Sequence, residues 1–277
     1  MNMALKILHS GGRKKEKETV TYEHDNGSDL KQFGYGRFPI DYAVNFEGLT
    51  LAVDLDRGMY HYRRALGDWK TDINISVNGG HMLIHPVEPL NLPDNLTDFM
   101  EIRFDPIKIE PSGICVIFVT MPIEIGVFLE SPSGSTDVID IVSYVYPKYS
   151  LYGGANRGVV TRFNESKVYY YPPAMKNYEA GLLKLEIENR SDEWATVGRA
   201  VIFQKGLFLY FDENFVAASA EMKIISPDVA VVTGVDTPIR QGMTRSNRLF
   251  KSRKLSPFYN VTGMLNDTAY TMDMGLI

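Results

Sequence analysis

Leu183-Lys184-Leu185-Glu186-Ile187-Glu188 decides the fold class. Apolar and charged residues alternate without interruption, and a strand turns successive side chains to opposite faces. Leu183, Leu185 and Ile187 are therefore expected in a core, with the charges on the other side. The same grammar extends downstream. Val197 to Phe203, Leu207 to Phe211, Ala220 to Ile225 and Val229 to Val235 are short apolar or β-branched runs. Lys205-Gly206 supplies a turn between two of them, and Asp236-Thr237-Pro238 stops the last.

Upstream, Asp72 to Val77 alternates strictly, and Leu49 to Val53 leads through Asp54-Leu55-Asp56-Arg57-Gly58 into Met59 to Tyr62, a hairpin with Gly near its turn. Ile114 to Val119 is continuously apolar, which predicts a strand covered on both faces with Cys115 as a small buried hydrophobe. Helical periodicity is scarce. The prediction is an all-β chain with little helix, built as two β-sandwich-like domains of about 100 residues each.

Boundaries follow from composition. Residues 1–30 form a polar arm around Gly11-Gly12-Arg13-Lys14-Lys15. Ser131-Pro132-Ser133-Gly134-Ser135 reads as a linker, dividing an N-terminal β domain (31–131) from a C-terminal one (132–238). Residues 239–277 are a basic segment and tail. Arg240 to Lys254 holds six basic residues and no acidic one, and a short helix is expected there.

The chain has 277 residues, 44% apolar and 23% charged, with a net charge of −5. That composition excludes disorder, collagen-like repeats, a coiled coil and a disulfide miniprotein. One cysteine cannot form an internal disulfide or a multi-thiolate metal site. No window reaches the 18 or more apolar residues of a membrane-spanning helix, and the N-terminal apolar stretch is too short for a secretory signal. A soluble cytoplasmic protein is expected. Asn-x-Ser/Thr tripeptides at Asn74, Asn95, Asn164, Asn189, Asn260 and Asn266 read as turn chemistry.

His81 and His85, with His61 and Glu88, are weak metal candidates. Pro86 biases His85 towards extended conformation, and four strand residues span about 13 Å, too far for two imidazoles to meet one tetrahedral ion readily. Asp54-x-Asp56-x-Gly58 opens like a calcium loop but has Gly fifth and Ala65 twelfth, where Gly sixth and Glu twelfth are needed. No phosphate loop, G-x-S-x-G elbow or H-E-x-x-H motif occurs, and no motif calls for a cofactor. Residues 143–171 hold seven of the sixteen tyrosines, interleaved with glycines and arginines. Aromatic faces beside arginines stack on ligands. Tyr149, Tyr152, Gly153, Arg157 and Arg162 are thus the expected contact surface.

Ile84-His85-Pro86-Val87-Glu88-Pro89-Leu90-Asn91-Leu92-Pro93, Met121-Pro122-Ile123-Glu124-Ile125-Gly126-Val127 and Lys148-Tyr149-Ser150-Leu151-Tyr152-Gly153 carry a resemblance. Through them the chain resembles the archaeal family catalogued as domain of unknown function 432, from about Phe33 to Lys251. The resemblance implies an archaeal source and no activity. The leading expectation is a non-enzymatic binding or interaction module for a protein or small-molecule ligand. The alternatives are a metal-dependent or carbohydrate-active hydrolase whose His and Glu residues converge in the fold, and a structural subunit of a homo-oligomer. The acidic balance argues against a dedicated nucleic-acid binder.

Overall fold

A computed structural model describes residues 34–90, 96–156 and 158–249, and the backbone of 269–273. Its first strands are β1 (Gly36–Pro39), β2 (Ala43–Phe46), β3 (Leu49–Asp56), β4 (Met59–Leu66), β5 (Trp69–Ile75) and β6 (His81–Val87). Next come β7 (Phe99–Ile109), β8 (Ile114–Pro122), β9 (Glu124–Glu130), β10 (Thr136–Val142), β11 (Lys148–Tyr152) and β12 (Val159–Glu165). Then follow β13 (Ala180–Asn189), β14 (Ala195–Phe203), β15 (Tyr210–Phe211), β16 (Val216–Ser226), β17 (Val229–Val235), β18 (Thr244–Arg245) and β19 (Ala269–Asp273). Gln204–Gly206, around the expected Lys205-Gly206 turn, is a single 3-10 turn. The chain is all-β, as its alternation requires. Among the described residues no helix is long and apolar enough to cross a membrane.

Alternation does in β13 what was expected of it. Leu183, Leu185 and Ile187 are wholly buried, while β8 pairs antiparallel on one side and β16 parallel on the other. Truncating such a leucine to alanine costs about 2–5 kcal/mol, because a closely packed site collapses only partly. The hairpin expected after Val53 also forms. Arg57 and Gly58 have φ of 49° and 84°, the left-handed pair of a two-residue turn whose twist matches the strands it joins.

β8 differs from expectation at its start. Ile114 is 66% exposed and Val116 38%, and Cys115 is half-buried, so coverage on both faces begins only further along. The physical reason is facing: Ile114 and Val116 lie opposite Glu188 and Glu186 of β13, on the side of the sheet turned away from the core that takes Ile117 and Ile187.

Four sheets enclose two main cores. Sheets β1-β6-β9-β10 and β2-β3-β4-β5 close over Tyr42, Leu51, Tyr62, Ile84 and Val127. Sheet β11-β12-β7-β14 and the sheet containing β13 close over Met100, Ile117, Leu185, Val197 and Met222. The chain visits them out of order, because β7 and β8 serve the second core and β9 and β10 return to the first. Ser131–Ser135 forms the β9–β10 turn, with Ser131 N donating to Ser135 O at 2.8 Å and Gly134 N to Ser131 O at 2.9 Å.

The basic segment holds no helix among its described residues; it runs through a turn into β18. Its charges are met by carboxylates. Arg240 Nε donates to Asp212 at 2.6 Å, Arg245 Nη2 to Asp236 at 2.7 Å, and Arg248 Nε to Glu88 at 3.2 Å. Residues 1–30 and 250–254 lie outside the described residues.

Candidate functional site

The two sheets of the first sandwich part at one end to leave an open cleft of about 620 Å³. Phe38 and Ile40 come from β1 and the turn after it, and Leu55 and Tyr60 from the β3–β4 hairpin, where they face each other in register. Phe38 is held by stacking on Tyr42 at 4.1 Å between ring centroids. The Gly79-Gly80 turn completes the lining. Gly80 has a φ of 136°, and a Cβ there would overlap the Glu130 carbonyl. Only glycine lets the chain enter β6 so close to the end of β9.

On the opposite face of this sheet from Phe38, register assembles a polar cluster. His81 lies opposite Pro39 on β1 and opposite Glu130 on β9, which places Arg37, two residues along β1, diagonally across. Arg37 Nε donates to Glu130 Oε2 at 2.7 Å, and Arg37 Nη2 donates to His81 Nδ1 at 2.9 Å. A guanidinium cannot accept a hydrogen bond, so Nδ1 is the acceptor and the neutral ring carries its hydrogen on Nε2. The Arg37 side chain remains 57% exposed.

The expected contact surface is dispersed. Tyr152 is buried in the second core, and Arg162 is 1% exposed. Arg162 Nη1 donates to Glu124 Oε1 at 2.9 Å and to Pro89 O at 2.8 Å. Its charge therefore ties β12 to the start of β9 instead of facing a ligand. Tyr149 is half-buried in β11, opposite Arg162 in register, and Gly153 takes the left-handed conformation of a turn at φ 95°. Arg157 lies outside the described residues.

The four weak metal candidates are likewise held apart. His61 pairs with Asp72 on the outer face of β4 and β5. His81 belongs to the polar cluster with Arg37 and Glu130. His85 is buried 4.9 Å from the Phe211 ring, accepts from Asn247 N at 3.1 Å, and is lowered by burial to a pKa of about 4. Glu88 accepts from Arg248 and from Leu249 N, and burial outweighs those bonds to raise its pKa. Among the described residues no three His, Cys, Asp or Glu side chains are placed to share a metal ion.

Residues 34–273 match the family described as protein of unknown function (DUF432). The chain belongs to that family. The matched span begins with the first described residue and ends with β19, so it takes in both sandwiches, the cleft and the Arg162 joint. No curated protein and no solved structure matches the chain.

Proposed function

We propose that this protein is a non-enzymatic binding module whose ligand seat is the cleft between β1 and the β3–β4 hairpin. The observation that carries the reading is an apolar-walled concavity of Phe38, Ile40, Leu55 and Tyr60, predominantly apolar lining being usual for a small-molecule site. Recognition on a rigid β scaffold commonly falls to such hairpins and turns. The seat moves from the tyrosine-rich region to the first sandwich because Tyr152 and Arg162 are occupied in packing.

The test uses 3-phenylpropan-1-ol as a neutral apolar probe, followed by amide NMR. At about 0.3 kcal/mol for each of roughly ten non-hydrogen atoms, affinity near 3 kcal/mol corresponds to a Kd of several millimolar. Saturable shifts are expected at Leu55, Tyr60, Gly79 and Gly80, and Leu55→Lys should abolish them. Leu55 is 61% exposed, so that change leaves the core untouched. Shifts scattered over the surface, or unaltered by Leu55→Lys, would remove the cleft from consideration.

A further inference from the structure

We propose that the open edge of β8 is a contact between two copies of this chain, paired antiparallel about a two-fold axis between their Cys115 residues. Along an antiparallel strand, alternate residues turn both N–H and C=O to opposite sides. Phe118 turns its pair away from β13: its N donates to Tyr169 O at 2.7 Å, and Tyr169 N donates to Phe118 O at 2.9 Å. Thr120 is met on the same side, its N donating to Ser166 Oγ at 2.8 Å and its carbonyl accepting from Asn164 Nδ2 at 2.7 Å. By alternation Val116 and Ile114 also point outwards, and nothing among the described residues meets them. After Tyr169 the chain bends at Tyr170 and Tyr171 and enters Pro172-Pro173, which carry no N–H to extend the pairing. An open edge is normally blunted by charge, proline or a bulge. Residues 114–119 contain neither charge nor proline, and β8 pairs with β13 without a register shift. The side chains at the open end are apolar, Ile114 and Val116, and both are exposed.

This edge is complementary to itself. With Cys115 opposite Cys115, Ile114 of each copy faces Val116 of the other, and every outward N–H and C=O of both residues finds a partner. Sliding the copies one way sets Ile114 against Phe118, which Tyr169 already holds. Sliding them the other way sets Val116 against Ser112, whose N is given to Asn189 O at 2.9 Å. Charge agrees with that register. It carries the turn at 110–113 of one copy towards segment 166–169 of the other. Glu110 and Lys167 there are exposed, opposite in sign and without an ion pair among the described residues. A two-fold contact closes on itself, so it gives a dimer and not a filament.

Sedimentation equilibrium of the full chain, run up to about 1 mM because so short a contact belongs to the weak class, should show a reversible monomer–dimer equilibrium. Val116→Pro removes an N–H that bonds nothing within the chain, and Val116→Lys puts a charge on the edge. Each should raise the dimer Kd at least about tenfold while the circular dichroism spectrum stays that of wild type. Cys115 reports the register. Opposite residues of such a non-hydrogen-bonded pair have Cα atoms about 4.5 Å apart, within the disulfide range of about 4.4–6.8 Å. Diamide, which takes up the two thiol hydrogens, should therefore link wild-type chains through Cys115; alkaline pH is used because burial pushes that thiol up. Cys115→Ser should abolish the link and keep the dimer. A chain that stays monomeric, a dimer indifferent to both Val116 substitutions, or a dimer that diamide does not link at Cys115 overturns the proposal.

Discussion

Asp140→Ala is expected to destabilise the protein by about 4 kcal/mol and to loosen the cleft. Asp140 Oδ2 accepts from Tyr62 Oη at 2.7 Å and from Arg64 Nε at 2.8 Å, and Oδ1 accepts from Arg64 Nη2 at 3.1 Å. The Arg64 and Asp140 side chains are each 9% exposed, and Tyr62 is wholly buried. Without the carboxylate, Arg64 keeps Thr71 Oγ1 at 2.6 Å and the Trp69 carbonyl at 3.2 Å but loses its counter-charge. A buried charge left without its partner costs about 3–5 kcal/mol. The orphaned Tyr62 hydroxyl adds about 1 kcal/mol or more, not independently.

Urea unfolding read by Trp69 fluorescence in a Trp194→Phe background measures the loss. Trp194 is 64% exposed, so its replacement should be silent. With a urea slope of about 3 kcal/mol per molar, 4 kcal/mol moves the midpoint down by about 1.3 M. The apolar pair Arg64→Met with Asp140→Leu should recover much of that, because it removes both charges together. Since the pair ties β4 to β10, it joins the two sheets whose ends wall the cleft, and Asp140→Ala should also weaken 3-phenylpropan-1-ol binding. A midpoint within about 0.3 M of wild type, or a double variant no more stable than Asp140→Ala, would refute the reasoning.

Two further outcomes follow from individual residues. His85 has a folded pKa of about 4 against 6.5 for the free side chain, so the unfolded chain takes up its proton first as pH falls. Its contribution is complete above about pH 6.5 and lost towards pH 4, by about 3 kcal/mol in all. Glu88, raised by burial, works in the opposite sense, losing stability as pH rises through its own range. The stability gap between wild type and His85→Gln isolates the histidine; it should narrow by about 2–3 kcal/mol from pH 7 to 4.5, and a constant gap would contradict the buried neutral ring. Gly80→Ala forces a Cβ against Glu130 O at φ 136° and should lower stability by about 2 kcal/mol or more. It should also shift the Gly79-Gly80 turn that lines the cleft, lowering affinity for 3-phenylpropan-1-ol; wild-type values for both would show that the close approach does not constrain the turn.

The fold was legible where one strand carries its own instruction. Leu183, Leu185 and Ile187 specify a buried face through spacing alone, and Arg57-Gly58 specifies a turn through backbone freedom. Ser131–Ser135 was ambiguous for a physical reason: small polar residues and glycine suit a linker and a tight turn equally. Asn-x-Ser/Thr divides in the same way. Asn189 Oδ1 does accept from Ser191 N, as a turn requires, whereas Asn74 and Asn164 sit inside strands. Exposure of an arginine is not a local property, and Arg162 is buried where Glu124, 38 residues earlier, and the Pro89 carbonyl meet it.

The cleft has no local signal for the related reason that Phe38 and Ile40 meet Leu55 and Tyr60 only in the fold, as Arg37, His81 and Glu130 become neighbours only through the pairing of β1 with β6 and of β6 with β9. His81 alone was visible, and its type suggested metal chemistry; its Nδ1 instead accepts from an arginine. Arg162, Arg245 and Arg248 each meet a carboxylate as part of holding strands or segments together. Arg37 does the same, joining β1 to β9 on the sheet face turned away from Phe38. The cleft is different in kind: packing alone does not call for an open volume walled by Phe38, Ile40, Leu55 and Tyr60, and that surplus of form is the physical ground for placing recognition there.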